Sequence, residues 1–204
     1  MKLTTKYLLA LITTVLLLNL AVAEARKKNE LPEFSYSMTC GLSGADACKI
    51  GSVGPGGGWI FFVDFNDQYS GFNYLEAAPT DISAVVWCNV STLISGIDGW
   101  SANAVGRGQA NTTAMIGACE SGAAYSADSY FTATKSDWFL GSEGEMMLMY
   151  TNLRQAGVCG FALNYYWSST EDVSSYAWSQ NFANGPQTSY YKLSTLPVRA
   201  VRAF

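Results

Sequence analysis

Hydrophobic and polar positions change rhythm several times along this chain. From Tyr7 to Leu20 they are apolar almost without a break, interrupted only by threonines and Asn19, behind a basic start at Lys2 and Lys6. Ala21-Val22-Ala23 then supplies the small-x-small pattern that a signal peptidase cleaves, so Glu24 is expected as the first mature residue. The apolar run falls short of the roughly 20 residues that a bilayer span needs, which makes an uncleaved anchor the lesser reading. With no cysteine after the small residues, a lipoprotein anchor is not expected either. After cleavage no membrane span is expected.

Residues 24–50 are polar and loop-rich and read as an extension, and residues 51–204 as one domain. Arg26-Lys27-Lys28 lies in that extension and reads as a solvated tail. Trp59 to Asp64 is an aromatic-aliphatic run of strand length, and Tyr74 to Ala78, stopped by Pro79, reads as its neighbour. Asn111 is placed to cap a helix running through Thr112, Thr113, Ala114, Met115 and Ile116 toward Cys119. A second helix is signalled by a capping box, Ser142 with Glu145, followed by Met146, Met149, Tyr150 and Leu153 at helical spacing until Gly157. That single apolar stripe reads as core, not as a ligand groove. From Tyr165 onward, pieces rich in Trp, Tyr and Ser alternate with turn signals such as Asn184-Gly185, and a short strand from Val198 to Phe204 closes the chain. The sum is an α+β domain, two helices packed on small antiparallel sheets.

Composition narrows the chemistry. About 180 residues remain beyond the apolar start, enough for one substantial core, and a chain 49% hydrophobic and 14% charged is expected to fold. A formal charge of −4 argues against a nucleic-acid partner. The chain has no histidine at all, so Ser-His-Asp and Cys-His catalysis are excluded and the commonest zinc ligand is missing. Gly54-Pro55-Gly56-Gly57-Gly58 invites a phosphate-loop reading, but it leads into a strand and no Lys-Ser/Thr pair opens a helix after it. A tight turn is expected there. Asp64, Asp67 and Asp81 lack calcium-loop spacing and read as turn residues. No cofactor, metal or catalytic residue is expected.

Five cysteines in an exported chain point to disulfides. Cys40 and Cys48 bracket a small-residue loop and are expected to pair. Of Cys88, Cys119 and Cys159 at least one is left over; Cys88 with Cys119 is the favoured pair, although spacing does not fix it.

At this point the order of motifs resembles a known family. Gly54 to Gly58 leading to a strand, then Tyr74-Leu75-Glu76-Ala77-Ala78-Pro79 and Trp87-Cys88, look like the start of a bacterial C-type-lectin-like domain, such as the carboxy-terminal domain of Legionella collagen-like adhesins. The likeness continues through Gly106-Arg107-Gly108-Gln109-Ala110-Asn111-Thr112, Asp137-Trp138-Phe139-Leu140 and Tyr166-Trp167-Ser168-Ser169-Thr170-Glu171. It ends with Ala177-Trp178-Ser179-Gln180-Asn181-Phe182 and Val198 to Phe204. The closing pattern is also similar to the variable proteins of diversity-generating retroelements, in which a reverse transcriptase rewrites adenine positions of a carboxy-terminal cassette. That resemblance implies a scaffold of Trp167, Trp178, Phe182, Val198, Arg199, Val201, Arg202 and Phe204. Between these lie the implied ligand-binding residues: Glu171, Asp172, Ser174, Ser175, Tyr176 and Ser179, then Gln187, Thr188, Ser189, Tyr190, Tyr191, Lys192, Ser194 and Thr195. Formylglycine-generating enzymes share the fold, but their chemistry needs a cysteine pair and metal sites, and here Cys159 stands alone in the carboxy-terminal half.

The composition of that stretch carries meaning without the family. Tyrosine offers large amphipathic contact area at low entropic cost and serine adapts its hydrogen bonding, the combination antibody paratopes use. In an ordinary sheet the same tyrosines would be half-buried strand residues. The expectation is therefore an exported bacterial protein, secreted, periplasmic or at the cell surface, that binds a protein or glycan on another cell or surface, with room for an oligomer. The alternatives are a fixed-specificity adhesin module meeting polyanionic glycans through an oligomer face, and an enzyme acting through Cys159.

Overall fold

The computed structural model describes residues 40–42 and 47–204. The expected signal segment, Arg26-Lys27-Lys28 and the rest of the extension up to residue 39 lie outside the described residues. Among those described, no helix is long and apolar enough to cross a membrane.

Strand β1 (Trp59–Val63) and strand β2 (Tyr74–Ala77) pair antiparallel, as expected, with a bulge between Ile60 and Phe62. β1 stops one residue before Asp64, because that carboxylate turns back to accept the backbone N–H of Tyr69 at 2.7 Å. Burial would raise the pKa of Asp64, but the amides of Tyr69, Gln68 and Asn66 outweigh it and hold the group below the usual range.

Further along, β3 (Ile82–Val85), β4 (Phe139–Leu140), β5 (Tyr165–Val173), β6 (Tyr176–Asn181), β7 (Gln187–Tyr191), β8 (Leu196–Val198) and β9 (Ala200–Ala203) complete the strands. They form a four-stranded sheet in the order β1-β2-β9-β4, a three-stranded sheet β5-β6-β7 and the pair β3-β8. The fold is α+β with antiparallel sheets. The expected closing strand is split in two by Arg199, whose side chain turns inward to Asp81, with Nε–Oδ1 at 2.7 Å. Asp81 is therefore an ion-pair partner and not a simple turn residue.

Two helices were expected and four helical segments form among the described residues: α1 (Trp100–Asn103), α2 (Gly108–Ala118), α3 (Ala123–Asp128) and α4 (Glu143–Met149), the last running on into a π turn over Tyr150–Arg154. α1 and α3 are too short to show a helical period. α3 is recognisable only by what it buries, the methyl groups of Ala123, Ala124 and Ala127. In α2, Asn111 is not the cap. It sits one turn inside, fully buried, and donates to the Ala102 carbonyl at 2.7 Å and to Ser169 at 3.3 Å, so a tertiary partner has overridden its capping preference. α4 keeps its capping box, with the Glu145 carboxylate accepting Ser142 N–H at 2.8 Å and Ser142 Oγ accepting Glu145 N–H at 3.3 Å.

The core forms on both sides of this frame. One large cluster gathers Trp87, Trp138, Trp167 and Met115, and another gathers Phe61, Leu75, Phe139, Tyr166, Phe182, Met146 and Met149, so the methionines of the expected stripe are core. Cys40–Cys48 and Cys88–Cys119 form disulfides and Cys159 remains a buried thiol. The glycine-rich segment is a turn, wrapped around the protein's own anion. Gly56 and Gly58 donate backbone N–H to the buried Glu76 carboxylate at 3.0 and 3.3 Å, and Arg202 meets the same carboxylate at 2.9 Å. A Cβ at Gly56 would overlap that carboxylate and the Trp138 ring.

Candidate functional site

The polar-aromatic stretch builds the β5-β6-β7 sheet. Its register sets Tyr176 beside Tyr191, Ala177 beside Tyr190, Trp178 beside Ser189 and Ser179 beside Thr188. Because strand side chains alternate faces, the stretch divides into two populations that composition alone does not separate. One face looks inward: Trp167, Ala177 and Ser179 are buried, and Tyr190 packs against the core and the Tyr165 ring at 4.8 Å. The other face carries Val173, Tyr176 and Tyr191, which remain 49%, 44% and 42% exposed. The rings of Tyr176 and Tyr191 lie 5.9 Å apart, edge to face, forming a small aromatic platform.

Of the implied ligand-binding residues, Asp172, Ser174, Ser175, Tyr176, Gln187, Thr188, Ser189, Tyr191, Ser194 and Thr195 are exposed or half-exposed. Three do not reach the surface. Ser179 is buried and donates to the Thr188 carbonyl at 2.7 Å. Glu171 and Lys192 are both fully buried and form an ion pair with each other. Lys192 also donates to the Thr92 carbonyl at 3.0 Å and lies over the Trp87 ring at 4.7 Å, while Glu171 accepts the Ile94 N–H at 2.9 Å. The pair thus fastens the loop from Thr92 to Ile94 beneath the sheet. An isolated charge could not stay there, since burying it costs several kcal/mol unless it is paired and hydrogen-bonded.

The far end of the sheet is fixed by different means. Asn181 Oδ1 accepts the Ala183 N–H at 2.7 Å, Gln180 donates to the Gly185 carbonyl at 2.6 Å, and Arg154 donates to the Phe182 carbonyl at 2.9 Å. Gly185 has φ of +102° with Tyr150 against it, so the hairpin between β6 and β7 is locked onto the end of α4. Gln187 donates to the Glu143 carbonyl at 2.8 Å. Beside that contact opens a groove of about 350 Å³ lined by Asn103, Val105, Glu143, Met147 and Gln187. Burial raises the Glu143 pKa, and the charge of Asp172 adds to the rise. A larger groove, about 480 Å³, lies between β3 and α3 against Val85, Tyr125 and Ser126, and none of the implied residues lines it.

Of the residues the resemblance implies as scaffold, Trp167, Phe182, Val198, Arg199, Val201 and Arg202 are buried. Trp178 is half-buried, and Phe204 stacks on Tyr74 at 5.3 Å. The thiol of Cys159 lies 2.9 Å from Arg199 Nη1, but burial pushes it up to about 11, with Asp81 opposing the help from Arg199. It holds its proton at neutral pH and is a poor nucleophile. Among the described residues no cluster of three His, Cys, Asp or Glu side chains is placed to hold a metal ion.

No protein-family model and no curated protein matches this chain. Among solved structures, a fimbrial protein from Bacteroides ovatus superposes with a TM-score of 0.53 over 72% of the chain at 12% identity. The match takes in 44% of that protein's length. At that identity the likeness is one of fold.

Proposed function

We propose that this is an exported binding protein of the adhesin or receptor type, with a C-type-lectin-like scaffold and a binding surface on the outer face of β5-β6-β7. The observation that carries this is the exposed platform of Tyr176, Tyr191 and Val173 on a sheet anchored from below by the Glu171–Lys192 pair. Exposed aromatic area of this kind on a rigid support is what interface hot spots use. Val173, Tyr176 and Tyr191 line neither of the grooves described above, so the reading is an extended protein or glycan ligand and not an enclosed small molecule. The disulfides and the fold shared with a fimbrial protein are compatible with export and a surface role.

If the carboxy-terminal segment is diversified, the rewritten positions are the implied residues at the surface, Asp172, Ser174, Ser175, Tyr176, Gln187, Thr188, Ser189, Tyr191, Ser194 and Thr195, with Glu171, Ser179 and Lys192 held constant. Sequencing the neighbouring DNA tests this directly. A reverse-transcriptase gene beside a near-copy of the Trp167 to Phe204 coding segment, differing at adenines, supports it, and the absence of both leaves a receptor of fixed specificity. The carboxy-terminal stretch offers no free cation for a polyanion among Lys192, Arg199 and Arg202, which are all buried and paired.

The binding test uses labelled protein and intact bacterial and host cells as the probe. Tyr176→Ala with Tyr191→Ala should lower retention at least about tenfold, a loss of roughly 1.4 kcal/mol in binding, while the melting temperature stays within a few degrees. Tyr190 is unsuitable for this test because its ring belongs to the core side. Retention unchanged by the double variant would overturn the reading.

A further inference from the structure

We infer that β7 is an association edge through which two copies of this chain join, their β7 strands pairing antiparallel about a two-fold axis at Ser189. Asn181 N–H bonds to the Pro186 carbonyl and Lys192 N–H to the Ser175 carbonyl, and the register continues through Ser179 with Thr188 and Ala177 with Tyr190. The even-numbered residues of β7 therefore spend their backbone groups on β6. Those of Gln187, Ser189 and Tyr191 point the other way. Among the described residues only the Tyr191 carbonyl finds a partner there, the Ser194 N–H at 2.8 Å.

Among the described residues the other sheet edges are bonded or interrupted. Beside β1, Gly51 N–H and Ile60 N–H exchange bonds with the Ile60 and Ser52 carbonyls. Along β5, Ser169 and Glu171 donate to Gly141 and Ile97. β4 is covered by Thr112, which both accepts from and donates to Leu140, and β3 is short and bulged against β8. β7 has none of the usual protections. Its sequence, Gln-Thr-Ser-Tyr-Tyr, contains no charge, no proline and no glycine, and its pairing with β6 has no bulge. Such an edge is a template for another strand.

Charge and symmetry select the occupant. A two-fold axis at Ser189 sets that residue against its own copy and Gln187 against the copy's Tyr191. The Ser189 N–H then meets the copy's Ser189 carbonyl, and the Tyr191 N–H meets the copy's Gln187 carbonyl. In a protein of net charge −4 this neutral strand is a place where two copies meet without like charges in register. Glu143 lies at the Gln187 end, whereas Asp172 stands two strands away from the edge at the tyrosine end. The result is one continuous sheet with the aromatic platforms of both copies in it. The interface of two five-residue strands is small, so the dimer is expected in the micromolar to millimolar range.

Sedimentation equilibrium of the purified protein between about 1 μM and about 1 mM tests this. The expected result is a monomer–dimer equilibrium that Ser189→Lys weakens at least tenfold by placing two ammonium groups opposite each other. Ser189→Pro should do the same, because it removes an outward N–H and no bond to β6. Tyr176→Ala, on the neighbouring strand, should leave association intact. Amide exchange supplies the second reading: Ser189 and Tyr191 should become protected as concentration rises. A monomer throughout the range overturns the inference, as does a dimer that both Ser189 variants leave unchanged. Protection of those amides in the monomer overturns it too, since another part of the chain would then cover the edge. The inference stands apart from the binding role: a monomeric Ser189→Lys that still binds cells separates the two.

Discussion

The two larger sheets of this molecule each hold a buried Glu with a buried cation, and they do so in opposite settings. In β1-β2-β9-β4 the carboxylate of Glu76 is shared between the Arg202 guanidinium and the amides of the glycine turn, with Asp137 on the far side of Arg202 at 2.5 Å. Desolvation raises the Glu76 pKa in spite of those partners. In β5-β6-β7 the Glu171–Lys192 pair has fewer supports and lies directly beneath the exposed tyrosines. The first sheet is bonded along β1 and β4, whereas the second is covered on its outer face at the Tyr166–Gln180 end and left exposed at the Tyr176–Tyr191 end. Polar residues in a strand therefore do not by themselves mark a surface: Gln180 and Tyr176 stand on one side of the pleat, yet the first is buried and the second exposed.

Removing one cation from each sheet should separate the two settings most strongly. Lys192→Ala leaves Glu171 buried with a single backbone donor, and a loss of about 3–5 kcal/mol of stability is expected. Arg202→Ala leaves Glu76 still held by Gly56 and Gly58 and should cost less. Urea unfolding of both variants decides it. A Lys192→Ala loss below about 1 kcal/mol would mean that the pair is not sealed in and that the sheet has no firm floor.

Next in size are the disulfides. Cys88–Cys119 spans 31 residues and fixes the segment whose Trp87 N–H bonds to the Lys192 carbonyl, so it supports the three-stranded sheet. Cys40–Cys48 spans 8 residues and lies against Ile60 and Tyr74 on the other sheet. Loop-closure entropy gives about 3–4 kcal/mol for the first and about 2–3 for the second. Removing each pair by Cys→Ala and comparing melting temperatures should reproduce that order, and a reversal would show that strain or residual structure outweighs loop length.

A pH effect of similar size is expected where α4 begins. Glu145 is fully buried, and desolvation pushes it up to about 7 against the N–H groups of Ser142, Gly106 and Gly108. The folded state therefore keeps a proton that the unfolded chain releases near pH 4.5. Its contribution is complete below that value and is lost as pH rises through about 7, on the order of 3 kcal/mol in all. The raised groups Glu76 and Glu143 act in the same direction, and Asp64 and Asp137, which are lowered, act against it. Glu145→Gln should flatten the fall in melting temperature between pH 5 and 8. It should also cost stability at every pH, because its amide nitrogen meets the Ser142 N–H. An unchanged slope would assign the pH dependence elsewhere.

Much of the closed half was legible in the sequence. The β1-β2 hairpin, the capping box at Ser142 and Glu145, the methionine stripe and the glycine turn all follow from local chemistry, and each stands where it was expected. Asn111 misled because a cap and a buried side-chain amide look alike until the partner, Ala102, is known. α1 and α3 left no period to find. In the carboxy-terminal half, Glu171 and Lys192 looked like surface charges because they sit among serines and tyrosines. Only the pairing across 21 residues, and the loop folded beneath them, puts both inside. The spacing of Asp81 and Arg199, 118 residues apart, likewise carried no local signal.

The smallest effect separates the two faces of a single strand. Tyr190 and Tyr191 are neighbours of the same type, yet Tyr190 packs on Tyr165 and the core while Tyr191 stands on the outer face. Tyr190→Ala removes ring contacts that are partly buried and should cost about 1–2 kcal/mol, less than the 3–5 kcal/mol typical of a fully buried aromatic. Tyr191→Ala gives up only an edge-to-face neighbour and partly exposed area, so about 0.5 kcal/mol is expected. The binding effects should run the other way, large for Tyr191 and small for Tyr190 so long as the domain stays folded. Equal stability losses at the two positions would mean that both faces of β7 are packed alike, and the outer face could not then be the binding surface.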